Sequence, residues 1–142
     1  MSLRSFCGKR LVNVSPERSI AEACWLMKEK AVGSLVVERQ GKLCGMLTDR
    51  DIALKVTGEQ KDPLTTMVEE VMTPEPVRIS VDKDLPDLVS LMHTRHIRRV
   101  PIVDASGMTL GIVTLDDLIA LFGYEMSELG GTISEGSVRS AT

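Results

Sequence analysis

Aromatic residues are scarce in this 142-residue chain, where one Trp, one Tyr and two Phe make up only 3% of the sequence. Because 43% of the residues are nevertheless hydrophobic, the core must be built from aliphatic side chains and methionine. The length and composition are those of one ordinary globular domain with enough chain to bury a core.

The chain also lacks an excess of basic residues, with 17 Lys and Arg against 20 Asp and Glu and a formal net charge of −3. A protein that binds the phosphate backbone needs a surplus of Lys and Arg, so the composition argues against nucleic acid as a partner. No apolar run approaches the roughly 20 residues of a membrane helix, and no membrane partner is expected. The first ten residues lack the apolar core of a signal peptide, which predicts a cytoplasmic location.

Metal-binding and redox motifs are missing as well. The three cysteines, Cys7, Cys24 and Cys44, are widely spaced and form no Cys-x-x-Cys pair. His93 and His96 lie three residues apart, but no carboxylate or cysteine is placed to complete a ligand set, so no metal site is expected. Cys24 falls on an apolar helical stripe and Cys44 in a strand, which predicts that both are buried as small hydrophobic residues.

What the chain does contain is an internal repeat. Gly45–Ile52 reads GMLTDRDI, and Gly111–Leu118 reads GIVTLDDL, 66 positions later. Earlier pairs such as Leu26-Met27 and Leu91-Met92 are displaced by 65, so one residue is added near Asp104–Gly107 in the second copy. Self-similarity of this kind indicates one supersecondary unit used twice.

Hydrophobic periodicity and capping signals predict the order strand, helix, strand, strand, helix in each copy. The predicted strands are 11–14, 35–38, 43–48, 77–80, 100–103 and 110–114, and the predicted helices are 20–30, 49–56, 85–95 and 115–122. Thr66 and Glu69 predict a capping box for a brief helix between the copies. Beyond residue 123 a further amphipathic stretch leads into a Ser- and Gly-rich tail that is expected to fray.

These elements divide the chain into five parts: an N-terminal segment 1–10, a first repeat 11–57, a connector with a short helix 58–76, a second repeat 77–123, and a C-terminal helix with a flexible tail 124–142. Neither copy alone buries both faces of its three-stranded sheet. We therefore expect an α+β fold of the α/β type, in which two βαββα repeats pack sheet to sheet about a pseudo-twofold axis.

Each copy carries Gly-x-x-Thr-x-x-Asp where its last helix begins, and the chain also contains VMTP at 71–74 and RRVPIV at 98–103. In these features it resembles a tandem pair of CBS domains, a Bateman module, over nearly its whole length. The resemblance implies a stand-alone regulatory module for energy sensing, with adenosine-containing ligands bound in clefts between the repeats. AMP, ADP or ATP is the expected ligand, with NAD(H) and S-adenosylmethionine as alternatives, and no cofactor is required.

The repeated Thr-x-x-Asp is the candidate ligand motif. Thr48 with Asp51, and Thr114 with Asp117, stand where a strand runs into a helix N-terminus. A carboxylate there offers two acceptor oxygens to the paired hydroxyls of a ribose, and the threonine adds a hydroxyl. The same acids could instead only cap their helices. The recurrence of this spacing in both copies favours the ligand role.

The resemblance further implies that Arg98 and Arg99 reach the phosphates of the ligand, with His96 nearby. The equivalent residues of the first copy, Gly33 and Ser34, are uncharged, so the two clefts should not be equal. The better cleft is predicted to combine Thr114 and Asp117 with Ser15, and its counterpart to combine Thr48 and Asp51 with Ser80.

Apolar residues on the closing helices exceed what one small module can bury, which predicts a homodimer that meets through them. These residues are Ile52, Leu118, Ile119, Leu121 and Phe122. No catalytic nucleophile with a base and no phosphate-loop lysine is present, so an enzyme is not expected. The alternative to a nucleotide sensor is a protein-interaction scaffold with degenerate nucleotide sites. Such a module is expected to signal through a protein partner, unknown from the sequence, or by changing its own assembly.

Overall fold

The computed structural model describes residues 2–8 and 11–141, and it confirms the predicted mixture of helices and two sheets. In chain order the elements are β1 (Asn13–Val14), α1 (Ile20–Lys30), β2 (Ser34–Arg39), β3 (Lys42–Thr48), α2 (Asp49–Ile52), α3 (Val68–Val71), β4 (Thr73–Pro74), β5 (Ile79–Ser80), α4 (Leu85–Arg95), β6 (Arg99–Val103), β7 (Thr109–Thr114) and α5 (Leu115–Ala141). A 3₁₀ turn (Leu3–Phe6) precedes β1, and a π-helical turn (Ala53–Thr57) continues α2. The chain divides into two compact units, residues 1–112 and 113–142.

The two long helices of residues 1–112 begin and end where local sequence signals predict. At α1 the Ser19 hydroxyl accepts a hydrogen bond from the Glu22 N–H at 3.1 Å, and the Glu22 carboxylate accepts one from the Ser19 N–H at 3.3 Å. Asp84 and Asp87 make the same reciprocal pair at α4, with both distances 3.2 Å. Each capping box satisfies backbone donors that a helix N-terminus would otherwise leave free.

The strands form two sheets, one in the order β1-β2-β3-β4 and the other in the order β5-β6-β7. The first strand of each sheet runs parallel to the second, so the two repeats share one topology. The sheets meet in a buried apolar cluster made of Val36, Leu43, Met46, Val103 and Ile112. The turns of the two hairpins also hydrogen-bond to each other, because the Thr109 N–H donates to the Gly41 carbonyl at 3.4 Å and the Leu43 N–H donates to the Gly107 carbonyl at 3.3 Å.

A second apolar cluster fills the first repeat between α1, its sheet and the short helix α3. Its buried members are Val14, Ile20, Ala23, Met27, Leu35, Val37, Leu47, Val56, Val68 and Val71. The core is aliphatic, as the scarcity of aromatic residues predicts.

The duplication extends upstream of the predicted start of the first repeat. The turn Leu3–Phe6 and the helix Val68–Val71 are separated by the same 65 positions as α1 and α4. Ser2, which caps the first of these short elements, forms an isolated β-bridge with Asp84, and Met67, which precedes the second, forms one with Ser19. Each short element therefore lies against the long helix of the other repeat.

The short helix α3 begins one residue later than predicted, so the capping box of Thr66 and Glu69 is wrong. The Met67 N–H donates to the Glu70 carboxylate at 2.6 Å instead. The shift has a tertiary cause, because the Thr66 carbonyl accepts from the Ile20 N–H at 2.9 Å and is held outside the helix.

Two helix ends also differ from the predictions. The closing helix does not stop near Phe122 but continues as α5 to Ala141, and only residue 142 of the tail lies outside the described residues. Glycine costs about 1 kcal/mol in a helix interior, which weakens a helix without ending it. The helix after β3 turns π-helical, with the Gly58 N–H donating to the Ala53 carbonyl at 2.8 Å.

The predicted burial of Cys24 is wrong, since its side chain is exposed, and Cys44 is half-buried. Cys24 lies at the edge of the helical stripe whose other members, Ile20, Ala23 and Met27, are buried. Among the described residues, no helix is long and apolar enough to cross a membrane.

Candidate functional site

The Thr-x-x-Asp motif of the first repeat is a capping box at the start of α2. The Thr48 N–H donates to Oδ2 of Asp51 at 3.0 Å, and the Asp51 N–H donates to the Thr48 hydroxyl at 3.1 Å. The other oxygen of Asp51 faces Nζ of Lys55 at 3.4 Å, and that ammonium also donates to the Val71 carbonyl at 3.2 Å. Both carboxylate oxygens of Asp51 are therefore engaged by the protein itself.

The second repeat has the same capping box, but the residues around it differ. The Thr114 N–H donates to Oδ2 of Asp117 at 2.9 Å, and the Asp117 N–H donates to the Thr114 hydroxyl at 3.2 Å. The residue four positions after Asp117 is Leu121, where the first repeat has Lys55. Within the described part of the chain, Oδ1 of Asp117 has neither a hydrogen bond nor an ion pair. This half-buried carboxylate keeps one acceptor oxygen that the described residues leave unused.

The two copies differ in what remains of each carboxylate once its helix is capped, and the ligand role stays a prediction. Both aspartates cap their helices through Oδ2. Among the described residues, only the second-repeat motif combines the cap with an oxygen that no neighbouring cation occupies. A sugar hydroxyl that approaches Asp51 would have to displace Lys55, whose side chain is 45% exposed.

Arg99 lies beside the first repeat although it belongs to the second. A methyl group added to Gly33 would lie 3.1 Å from Oδ2 of Asp49 and 3.8 Å from Nη2 of Arg99. The Asp49 N–H donates to the Gly33 carbonyl at 3.0 Å, which fixes α2 against this position. The glycine therefore leaves space in which an arginine of one repeat approaches an aspartate at the α2 start of the other.

Ser15 lies on the wall of a groove of about 480 Å³ between β1 and α1. The groove is lined by Asn13, Val14, Ser15, Arg18, Glu22, Trp25 and Leu26. Trp25 is the single tryptophan of the chain and is 64% exposed. Its indole is therefore a natural reporter of anything that enters the groove.

The remaining predicted residues occupy three positions near the second sheet. The hydroxyl of Ser80, at the end of β5, accepts from the Asp82 N–H at 3.2 Å and so shapes a turn. His96 ends α4 in the left-handed conformation, with φ of 54°, and its ring centroid is 6.4 Å from that of His93. Arg98 is exposed. The groupings of Ser15 with the second motif and of Ser80 with the first remain predictions.

Among the residues that the structure describes, no cluster of three or more His, Cys, Asp or Glu side chains could hold a metal ion. His93 and His96 have no third ligand of these types among the described residues, and Arg95, Arg98 and Arg99 lie close to them in the sequence.

The carboxylate of Glu38, away from the motifs, has a raised pKa. Burial raises the pKa of Glu38, while hydrogen bonding from Thr109 and Asn13 opposes that shift. The Asn13 amide donates to Oε2 of Glu38 at 3.4 Å. Among the described residues, Oε1 of Glu38 and the Thr109 hydroxyl are buried without a partner at standard hydrogen-bonding geometry.

The five residues of the predicted dimer face do not share one environment. Leu118 is only 3% exposed and belongs to the interior, which corrects its assignment to an interface. Ile119 and Phe122 are 60% and 43% exposed, whereas Ile52 and Leu121 are half-buried.

Sequence reasoning missed two participants, Lys55 and Trp25. The pairing of Lys55 with Asp51 has the i, i+4 spacing of a helical ion pair and was therefore readable from the sequence. The approach of Arg99 to Gly33 and Asp49 joins residues from different repeats, and no local pattern signals it.

Comparison with known proteins places this geometry in a family. The model of the CBS domain matches residues 3–58 and 68–124, so it begins at the 3₁₀ turn and at α3, the two elements that are 65 positions apart. The CBS domain-containing protein YhcV of Bacillus subtilis is 44% identical over 117 residues, which are 82% of this chain and 82% of that protein.

Two solved structures show the same fold. The CBS-pair protein CBSX2 from Arabidopsis thaliana superimposes with a TM-score of 0.75 at 26% identity, over 89% of this chain and 96% of that one. The hexameric CBS-CP12 protein from bloom-forming cyanobacteria gives a TM-score of 0.71 at 27% identity, over 84% of this chain and 69% of that one. The chain belongs to the CBS domain family and carries two CBS domains.

Proposed function

We propose that this chain is a regulatory module that senses adenosine-containing ligands of the AMP, ADP and ATP class. Paired CBS domains are regulatory modules that often bind nucleotides. The proposed primary site uses Thr114 and Asp117, with Ser15 as the expected neighbour, and the motif of Thr48 and Asp51 with Ser80 is the weaker site.

The observation that carries the proposal is the difference between the two aspartates. Asp117 uses Oδ2 for its own helix and keeps Oδ1, while the equivalent oxygen of Asp51 pairs with Lys55. A carboxylate oxygen with no competing cation can accept a hydrogen bond from a ribose hydroxyl at little cost. Such a bond to a charged acceptor contributes about 1.5–3 kcal/mol.

A phosphorylated ligand is favoured by the exposed cations at the start of β6. Arg98 and Arg99 are exposed, and His96 ends the preceding helix. Guanidinium groups can donate two parallel hydrogen bonds to one phosphate. Discrimination among AMP, ADP and ATP at this cluster would make the module an energy sensor.

The test is a titration of the protein with AMP, ADP, ATP, NAD and S-adenosylmethionine, followed by Trp25 fluorescence and by thermal shift. A ligand that binds only the folded chain raises the melting temperature by mass action. The key variant is Asp117→Asn, whose amide oxygen can still accept from the Thr114 N–H while the other acceptor oxygen is lost.

Asp87→Asn is the matched control, because Asp87 closes the capping box of α4 in the same way without a Gly-x-x-Thr motif before it. We expect Asp117→Asn to weaken binding at least about tenfold, and Asp87→Asn to leave the affinity unchanged. Equal losses in both variants would show that capping alone is being measured.

The second candidate function is a protein-interaction scaffold with degenerate nucleotide sites. In the first repeat both carboxylate oxygens of Asp51 already have partners within the protein, which favours the scaffold function there. The absence of any thermal or fluorescence response across the five compounds would select it for the whole chain.

We also propose that the module self-associates as a homodimer in the cytoplasm. Self-association has a precedent in the hexameric CBS-CP12 relative.

A further inference from the structure

Helix α5 carries an exposed apolar stripe with the spacing of a coiled coil. Ile119, Phe122, Met126 and Leu129 are separated by three, four and three residues, and they are 60%, 43%, 70% and 62% exposed. Ile133 continues the spacing by a further four residues. Alternating separations of three and four place these side chains on one face of a helix and match the a and d positions of heptads. We call Ile119, Phe122, Met126 and Leu129 the heptad stripe.

The positions that flank the heptad stripe are compatible with a second copy of the same helix. Gly123 and Gly130 occupy successive e positions, and Glu125 and Thr132 occupy g positions. In a parallel pair the g position of one helix faces the next e position of the other, so Glu125 would face Gly130 of the second copy. No like charges meet there, and the small glycines allow the helices to approach closely.

The apolar area is also of the size that a pair needs. With roughly 200 Å² of accessible surface for a large apolar side chain, the four exposed fractions give about 470 Å² per copy. Two copies would therefore remove about 940 Å² from water, close to the roughly 1,000 Å² expected of a specific interface. A monomer that exposed the heptad stripe would keep this contiguous patch in water.

We propose that the heptad stripe of α5 pairs with the heptad stripe of a second copy as a short coiled coil. This inference deepens the proposed self-association and does not depend on the ligand. It also replaces part of the interface predicted from the sequence, since Leu118 is buried and the exposed apolar face continues past Phe122 to Leu129.

The test is sedimentation equilibrium of the full chain between micromolar and submillimolar concentrations, on wild type and on the double variant Met126→Glu, Leu129→Glu. Glutamate is a good helix former, so the change places charges on the heptad stripe without removing the helix. Tyr124→Glu is the matched control, because Tyr124 is 63% exposed on the same helix but off the stripe. Circular dichroism checks that helix content is retained in all three proteins.

We expect a wild-type dimer, a rise of at least about 100-fold in the dissociation constant of the double variant, and a change of less than about threefold in Tyr124→Glu. A dimer of unchanged affinity in the double variant would place the interface elsewhere and overturn the proposal. A monomeric wild type would also overturn it, and binding of an added basic amphipathic helix by that monomer would indicate a heterologous partner.

Ligand binding is measured on the same proteins to keep the two proposals apart. The double variant should retain the Trp25 fluorescence response to nucleotide, and Asp117→Asn should retain the dimer. A dimer without any ligand response contradicts the proposed function and leaves the coiled coil standing.

Discussion

Replacement of Gly111 by alanine tests how the N-terminal segment is held. A Cβ at Gly111 would lie 2.7 Å from the Phe6 carbonyl oxygen and 2.9 Å from Cα of Cys7. Both are backbone atoms, so a side-chain rotation cannot relieve the overlap. The segment would have to move away from β7.

The free-energy cost of moving the N-terminal segment follows from the contacts that it makes in the folded chain. Leu3 is completely buried, and the Gly8 N–H donates to the Leu110 carbonyl at 3.0 Å. Exposure of one leucine costs about 1.5–3 kcal/mol and loss of the hydrogen bond about 1 kcal/mol, while the gain from replacing glycine returns about 0.4–1 kcal/mol. Gly111→Ala should therefore lower the free energy of unfolding by about 1.5–3.5 kcal/mol, which corresponds to a fall in melting temperature of about 5–12 °C for a chain of this size.

The matched control is Gly45→Ala, the same position of the motif in the first repeat. There the added Cβ would contact the Met72 side chain, whose thioether can rotate away. We expect Gly45→Ala to change the free energy of unfolding by less than about 1 kcal/mol in urea titrations of both variants.

A double variant sharpens the test. If Gly111→Ala displaces the segment, Leu3→Ala added to it should cost much less than Leu3→Ala alone, which should lose about 2–5 kcal/mol. Additive effects, or equal destabilisation by Gly111→Ala and Gly45→Ala, would refute the reasoning.

Three further changes test other parts of the structure. Burial raises the pKa of Glu38. Above about pH 4 the folded chain therefore binds more protons at this residue than the unfolded chain does. Its contribution to the free energy of unfolding is lost as the pH rises through the raised pKa. Glu38→Gln should therefore reduce the decrease of the free energy of unfolding with pH, measured by urea titrations at successive pH values. An unchanged pH profile would contradict the raised pKa of Glu38. Lys55→Leu, which copies Leu121 of the second repeat, should release an oxygen of Asp51 and raise the nucleotide stoichiometry in calorimetry; an unchanged stoichiometry would count against a usable first site. Arg99→Gln should weaken AMP binding about 10-fold or more and leave adenosine binding unchanged in the same titrations, since the lost interaction is with phosphate; equal losses for both ligands would place the arginine elsewhere.

Local signals account for the parts of the fold that the sequence predicts well. The bounds of α1 and α4 depend on capping boxes, Ser19 with Glu22 and Asp84 with Asp87, whose partners are three residues apart. The Thr-x-x-Asp motifs are equally local, and their place at a strand-to-helix junction is confirmed. Interactions within one turn of chain are present in any fold that forms the helix.

At the start of α3, a contact distant in sequence decides against the prediction. The start of α3 moves because Ile20 donates to the carbonyl of Thr66, 46 positions later. Helix α5 continues through its glycines although propensity alone predicts an end near residue 122. Neither outcome is visible in a local pattern of residue types.

The sequence by itself determined that one unit occurs twice, which residues begin the long helices α1 and α4, and that Thr48, Asp51, Thr114 and Asp117 stand at equivalent junctions. The tertiary structure decided that the N-terminal turn lies against the opposite repeat and that Arg99 reaches Gly33 and Asp49. The physical reason is that capping and periodicity act within a few residues, whereas these contacts depend on how separate surfaces bury apolar area together.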